Sequence, residues 1–394
     1  MKKRLLLLVI YLAFISLGLP DSLLGSGWPS MFKSLNVPIH FAGIISMIVA
    51  SGTVISSLFS GRLIQRFGVA TITTISVLMT ALALLGFAHS ENFIFICLLS
   101  IPLGLGAGCV DVALNNYVAL HFRAIHMNWL HCFWGVGAAI GPILMARYLT
   151  MGQSWTNGYN TVGWIQMGLV FILLLSIPLW VRKQKNQDEP DDSKSKLSLI
   201  KLLSIPGIKS ALTVFFCYCT IEATFGLWGA SYLVLVRDLK AEDAAKFVAI
   251  YYAGITIGRF ISGFVSLKLD NQTLVKIGQG LILLGIFTLI LPFQATILPG
   301  FFLIGFGCAP IFPSLLHNTP HNFGETNSES IMGLQMASAY TGITLMPFAF
   351  GKLASYIGFS SLIWFLIIVL AIKIYMNMDL NKRVLNKNYR QHRI

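Results

Sequence analysis

Gly104-Leu-Gly-Ala-Gly-Cys-Val-Asp-Val-Ala-Leu-Asn-Asn-Tyr117 carries the pattern that decides the fold. Glycines alternate with apolar residues, then one acid, Asp111, and two amides, Asn115 and Asn116, interrupt the run. At an offset of 201 residues the Gly104-x-Gly106 pair returns as Gly305-x-Gly307. The same offset carries Asp21 and Gly25 onto Glu222 and Gly226. At 202, Gly52 and Ser60-Gly61 meet Gly254 and Ser262-Gly263; at 204, Leu130-His131 meets Leu334-Gln335. Any one match is weak. Together, at a nearly constant offset, they mark an internal duplication.

The residues around these matches are overwhelmingly apolar. Only 11% of the chain is charged and 56% is hydrophobic, whereas a soluble domain carries about 25% charged residues. The apolar residues form runs of about 20, the length that crosses a bilayer. The runs fall at 5–27, 39–61, 70–89, 93–120, 127–149 and 162–181, then at 209–235, 244–267, 273–292, 295–316, 330–354 and 359–377. The expected fold is therefore an all-α membrane protein of twelve transmembrane helices in two pseudo-symmetric halves of six. Its parts are a bundle over 1–181, a linker over 182–208, a second bundle over 209–377 and a basic tail over 378–394.

The net charge of +13 does not point to nucleic acid, because the positive residues sit between and beside the apolar runs. Lys2, Lys3, Arg4, Arg62, Arg66 and Arg123, the charged central segment and the tail all fall on one side. Only Lys33, Arg147, Arg237, Lys240, Lys246 and Lys352 fall on the other. By the positive-inside rule, both termini are expected in the cytoplasm of an inner-membrane protein. The segment Met1-Lys-Lys-Arg4 resembles a signal-peptide start but lacks a cleavage site of small residues, so it reads as an uncleaved first helix. Leu197–Leu203 could form a short helix on the inner membrane surface. Cys97, Cys109, Cys132, Cys217, Cys219 and Cys308 lie in apolar segments without a CxxC pair, and read as small buried hydrophobes.

Charge inside a membrane is costly and usually faces a cavity or a partner. Asp21, Asp111, Glu222 and Arg259 are the candidates, with His131 as a titratable neighbour. Glu222 lies 13 residues past Lys209 and 15 before Arg237, which at 1.5 Å per residue is near the midplane. A carboxylate there could bind and release a proton, or be satisfied structurally by hydroxyl and backbone groups. Arg259 reads as an anchor for its span or as a partner to an acid. Trp28, Trp134, Trp228 and Tyr232 with Asn115, Asn116 and Gln335 offer flat apolar faces and two-way amides, the combination a sugar needs. Trp155, Trp180 and Trp364 read as an interfacial belt. The glycine runs, including Gly135-Val-Gly-Ala-Ala-Ile-Gly-Pro142, read as close helix packing. No HExxH or GxSxG constellation appears, and no enzyme, cofactor or metal site is expected.

Gly61-Arg-Leu-Ile-Gln-Arg-Phe-Gly68 resembles the major facilitator signature of the loop between spans 2 and 3, with Gln65 where an Asp is usual. That implies a place at the inner gate for Arg62 and Arg66, without the usual salt bridge. Pro20-Asp21 with Gly25 and Trp28, the 104–117 run, Met127-Asn-Trp-Leu-His-Cys-Phe-Trp-Gly-Val-Gly-Ala138 and Glu222-Ala-Thr-Phe-Gly-Leu-Trp228 go further. Together they resemble the fucose:galactose:proton symporter family and the related sodium-dependent glucose transporters. The resemblance implies proton coupling and sugar recognition at Asp21 and Asp111. The Gln-x-x-Asn pair of the fucose branch falls on His131 and Trp134, which is more similar to the glucose-transporter branch.

The expectation is a monomeric secondary transporter importing a hexose or related sugar by cation symport, with H+ the coupling ion and Na+ the alternative. Asp21 and Asp111 would couple; Asn115, His131, Trp134, Glu222, Trp228 and Gln335 would bind the solute. The competing reading is a proton-driven exporter of drugs, peptides or siderophore-like compounds on the same fold.

Overall fold

The computed structural model describes residues 2–122, 124–180 and 199–391. Arg123 and the linker charges between Arg182 and Lys196 lie outside the described residues, as does Arg393. Among the described residues the secondary structure is helical throughout, without strands. In lipid this is required, because a helix satisfies its own backbone groups.

Among the described residues, eleven helical segments are long and apolar enough to cross a membrane. They are α1 Lys3–Ser34, α2 Ile39–Phe67, α3 Val69–Ala88, α4 Phe93–Val118, α5 Trp129–Thr150 and α6 Trp155–Leu179. The second half holds α7 Ile208–Val236, α8 Ala241–Val265, α9 Asn271–Ile290 and α10 Gln294–His317. Between α10 and the last span lies α11, Glu325–Ile357, with 33 residues ample for crossing but diluted by Ser338, Tyr340, Thr341 and Thr344. The last, α12, runs Ser361–Gln391, so the helix continues through the tail instead of ending near 377. A short helix at Leu199–Leu203 precedes α7.

The duplication is visible in the packing. A side chain on Gly104 of α4 would collide with the Val49 carbonyl of α2, and one on Gly305 of α10 with the Tyr251 carbonyl of α8. Gly106 stands against the Ser76 carbonyl of α3, and Gly307 against the Gly278 carbonyl of α9. Each partner is displaced by the same 202 residues. The glycines thus let helix axes approach backbone to backbone. Gly68 does something different: it ends α2 at φ 83°, a left-handed conformation that glycine adopts without strain.

The two halves meet unevenly. Gly25 of α1 abuts the Gly226 carbonyl of α7, and Gly43 of α2 abuts Phe348 of α11. On this far side, away from the N-terminus, one continuous apolar core joins both halves through Trp28, Met31, Trp228, Phe350 and their neighbours. On the side of the N-terminus the cores are separate. One gathers Leu6, Ile10, Phe14, Val118 and Leu130; the other gathers Leu202, Ile208, Phe323, Leu380 and Val384.

Candidate functional site

The site grows from a break in α1. Pro20 has no amide hydrogen, which leaves the Ser16 carbonyl without its helical donor. The Gln166 side chain of α6 supplies one at 2.8 Å. The helix is interrupted at Ser22 and resumes at Leu23. At this break Asp21 Oδ2 accepts a hydrogen bond from Trp134 Nε1 of α5 at 2.7 Å. The indole can reach because Gly18 lets the α5 backbone at Trp134 lie directly on α1.

Trp134 also touches the second half. The Arg259 guanidinium of α8 lies over its ring, 5.0 Å from the centroid, a cation–π contact. Tyr252 meets the same indole edge-on at 6.4 Å. Arg259 Nη2 is 3.7 Å from Glu222 Oε1 of α7, an ion pair too long to be a hydrogen bond. Tyr251 Oη donates to the Glu222 backbone carbonyl at 3.1 Å. Asp21, Trp134, Arg259 and Glu222 therefore form a line of acid, indole, guanidinium and acid running from the first half into the second.

Asp111 forms a second locus on α4. Asn115, one turn on, donates its amide to both the Asp111 carboxylate and the Asp111 carbonyl, each at 2.9 Å. Among the described residues Asp21 and Asp111 have no ion-pair partner, whereas Glu222 has Arg259. Asp21 and His131 keep exposed surface, and Asp111, Asn115 and Trp134 are half-buried. Through Trp134, Asp21 is linked to Arg259 and Tyr252 of the second half, which meet the same indole. His131, one turn before Trp134, sits edge-on to Phe14 at 6.1 Å.

Two residues expected to bind solute do not reach this line. Trp228 is fully buried in the second half, where Nε1 donates to the Pro347 carbonyl at 2.8 Å. Gln335 is buried, accepts from Thr319 Oγ1 at 2.8 Å, and lines a small cavity with Asn318, Asn322 and Asn377. Trp28 is also fully buried, with its indole N–H bonded to the Ile39 carbonyl; Tyr232 is buried near Leu289. Trp155, at the start of α6, is 4% exposed and donates to Ser34 Oγ, so its indole packs within the protein instead of facing outward. Trp364, at 65% exposed, fits the belt. Arg62 and Arg66 are exposed near the end of α2, where Arg66 stacks on Phe67. No acid pairs with either among the described residues. Arg259 and Tyr252 are the additions. Arg259 was legible as an intramembrane cation, but its position between Trp134 and Glu222 was not.

Twelve crossing helices in two repeated halves, with charge gathered where the halves meet, define a polytopic membrane carrier. The family description "Major Facilitator Superfamily" matches residues 10–342, and the chain belongs to that superfamily. It is 23% identical over 352 residues to the glucose/mannose transporter GlcP of Bacillus subtilis, covering 86% of each chain. It is 22% identical over 279 residues to a cis,cis-muconate transport protein of Acinetobacter baylyi, covering 68% of this chain and 67% of that one. Among solved structures, a bacterial homologue of the lysosomal transporter Spinster, inward-facing and unoccupied, superposes with a TM-score of 0.77 at 11% identity. That superposition covers 97% of this chain and 98% of the other. A nucleoside transporter superposes with a TM-score of 0.77 at 14% identity, covering 96% and 99%.

Proposed function

We propose that this protein is a cation-coupled symporter of a small neutral polar solute, with a hexose the favoured class and H+ the favoured ion. One observation carries the reading: the acids differ in how they are answered. Glu222 already has a cation in Arg259. Asp21 and Asp111 have only neutral donors, Trp134 and Asn115. A carboxylate answered by one neutral donor, with no cation beside it, gains most from taking up an external cation. Na+ would use the same oxygens. The Trp134 face and the amides of Asn115 and Asn116 suit a sugar ring and its hydroxyls. The likeness to a glucose/mannose transporter supports the same solute class. Both termini and the linker are assigned to the cytoplasm of an inner membrane by the Lys and Arg distribution. Alternating access then amounts to opening the far-side core while closing the other side around the site.

An organic anion is the second reading. Arg259 is only loosely held by Glu222 at 3.7 Å, and a relative is a muconate transport protein. The two unpaired acids nearby weigh against it. The test is uptake of labelled hexoses and of muconate into proteoliposomes, with an imposed pH or Na+ gradient. Hexose accumulation that follows the pH gradient supports the proposal. Gradient-independent equilibration, or muconate uptake alone, removes it.

A further inference from the structure

A second candidate site lies far from the transport line, where α7 begins and α12 extends beyond its span. A cavity of about 250 Å³ opens there between the two helices. Lys209 and Thr213 form one wall, and Tyr375, Asp379 and Arg383 the other. Its floor is built rather than incidental. Ser210 Oγ donates to Asp379 Oδ2 from across the cavity, and Arg383 Nε donates to the same oxygen at 2.7 Å. Gly207, at φ 90°, packs against Leu380 and the Arg383 Cβ. Beneath lies the apolar cluster of Leu202, Ile208, Phe323, Leu380 and Val384.

This arrangement uses up the one acid and leaves the cations free. Asp379 accepts both hydrogen bonds, so its charge is answered within the wall. Arg383 spends Nε on Asp379, and its two terminal amino groups have no hydrogen bond to a described residue. The Lys209 ammonium likewise has no partner among the described residues. Two cations therefore border one cavity with their donors unspent. Tyr375 is 67% exposed at its edge, and Ile372 and Ile368 are exposed along α12 on the way to mid-span. A polar, cationic head site continuing into an apolar helix face matches an amphiphile with an anionic head.

We infer that this cavity binds the headgroup phosphate of an anionic phospholipid in the leaflet on the linker side. The Arg383 amino groups take two phosphate oxygens in a fork, Lys209 takes a third oxygen as a point charge, and the acyl chains run along Ile372 and Ile368. The lipid ties α7, the first helix after the linker, to α12, the last helix of the chain. It would thereby stiffen the second half as a body without touching Asp21, Trp134 or Arg259.

The experiment is native mass spectrometry of the purified protein with phosphatidylglycerol, phosphatidylcholine and inorganic phosphate in turn, paired with thermal-shift measurements. Wild type is expected to retain phosphatidylglycerol over phosphatidylcholine and to gain thermal stability from it. Lys209→Ala breaks no internal contact and should weaken phosphatidylglycerol binding several-fold; Lys209→Ala with Arg383→Gln should weaken it about tenfold or more. Lys33→Ala with Lys352→Ala, which removes as much charge elsewhere, should leave binding unchanged. Three results would overturn the inference. These are an undiminished preference in the double variant, an equal loss in the Lys33 and Lys352 variant, and displacement of the lipid by millimolar inorganic phosphate.

Discussion

The two halves share a scaffold and differ in how they answer charge. Gly104 and Gly305 press on equivalent carbonyls, and each half buries a tryptophan, Trp28 or Trp228, whose indole N–H donates to a backbone carbonyl. Upon that common frame the second half pairs its acid with a cation, Glu222 with Arg259. The first half leaves Asp21 and Asp111 with neutral donors. A duplicated frame with charge neutralised on one side and unanswered on the other can bind a cation asymmetrically while moving symmetrically. The lesson is that packing residues keep the duplication, whereas coupling needs it broken.

The common frame is the most sensitive point. Gly104→Val and Gly305→Val each drive a branched side chain into a backbone carbonyl, which cannot step aside. Overpacking of this kind costs about 1–3 kcal/mol and more where backbone must move. Both variants are expected to lose most of their folded yield in size-exclusion chromatography, and to a similar degree. A tolerant Gly305→Val beside an intolerant Gly104→Val would break the equivalence of the halves.

The acids come next. A pH gradient of one unit supports about tenfold accumulation per coupled proton. Asp21→Asn and Asp111→Asn should each reduce hexose accumulation toward equilibrium while leaving counterflow exchange measurable. Glu222→Gln should be milder in transport, because the Glu222 charge is already met by Arg259. If Glu222→Gln abolishes accumulation and Asp111→Asn does not, the assignment of coupling to the first half fails.

Much of this comparison is legible in the sequence, and the exceptions have a common cause. Hydropathy marked the crossing segments, and the near-constant offset marked the duplication, because both depend on order along the chain. Which way a residue faces depends on rotation about the helix, about 100° per residue. An offset of 204 pairs Gln335 with His131. At 202, the offset that holds for Gly52 and Gly254, the mate of His131 is Gly333, and space around Gly333 is open. Two residues are more than half a turn, enough to turn Gln335 from the interface into the bundle. Trp228 fell to the same ambiguity: an aromatic near mid-span can be a binding surface or a peg, and only the Pro347 carbonyl decides. Arg259 was visible as a cation, but its stacking on Trp134 is a contact between halves, which local sequence does not encode.

The line between the halves can be tested in smaller steps. Arg259→Ala leaves Glu222 without its cation. Because both side chains keep about a fifth of their exposure and stand 3.7 Å apart, the expected cost is about 1–2 kcal/mol, below that of a fully buried pair. Arg259→Met with Glu222→Gln should recover most of it in thermal unfolding, and a double-mutant cycle with no coupling would dissolve the pair. Trp134→Phe keeps an aromatic face for Arg259 but removes the N–H that holds Asp21. It should cost about 1 kcal/mol and move the pH dependence of uptake more than its maximal rate.

The smallest effect is expected at the least symmetric residue. Lys373 of α12 is wholly buried, and its ammonium has no hydrogen-bond partner among the described residues. The first half has Leu169, Val170, Phe171 and Ile172 at the corresponding offsets, all apolar. A buried cation without a partner opposes folding, and an apolar side chain of similar length removes that cost. Lys373→Met should therefore leave the melting temperature unchanged or raise it by a few degrees, with uptake intact. A fall in uptake at an unchanged melting temperature would give the second half a charge with work of its own, and the division between a coupling half and a neutralised half would have to be redrawn around it.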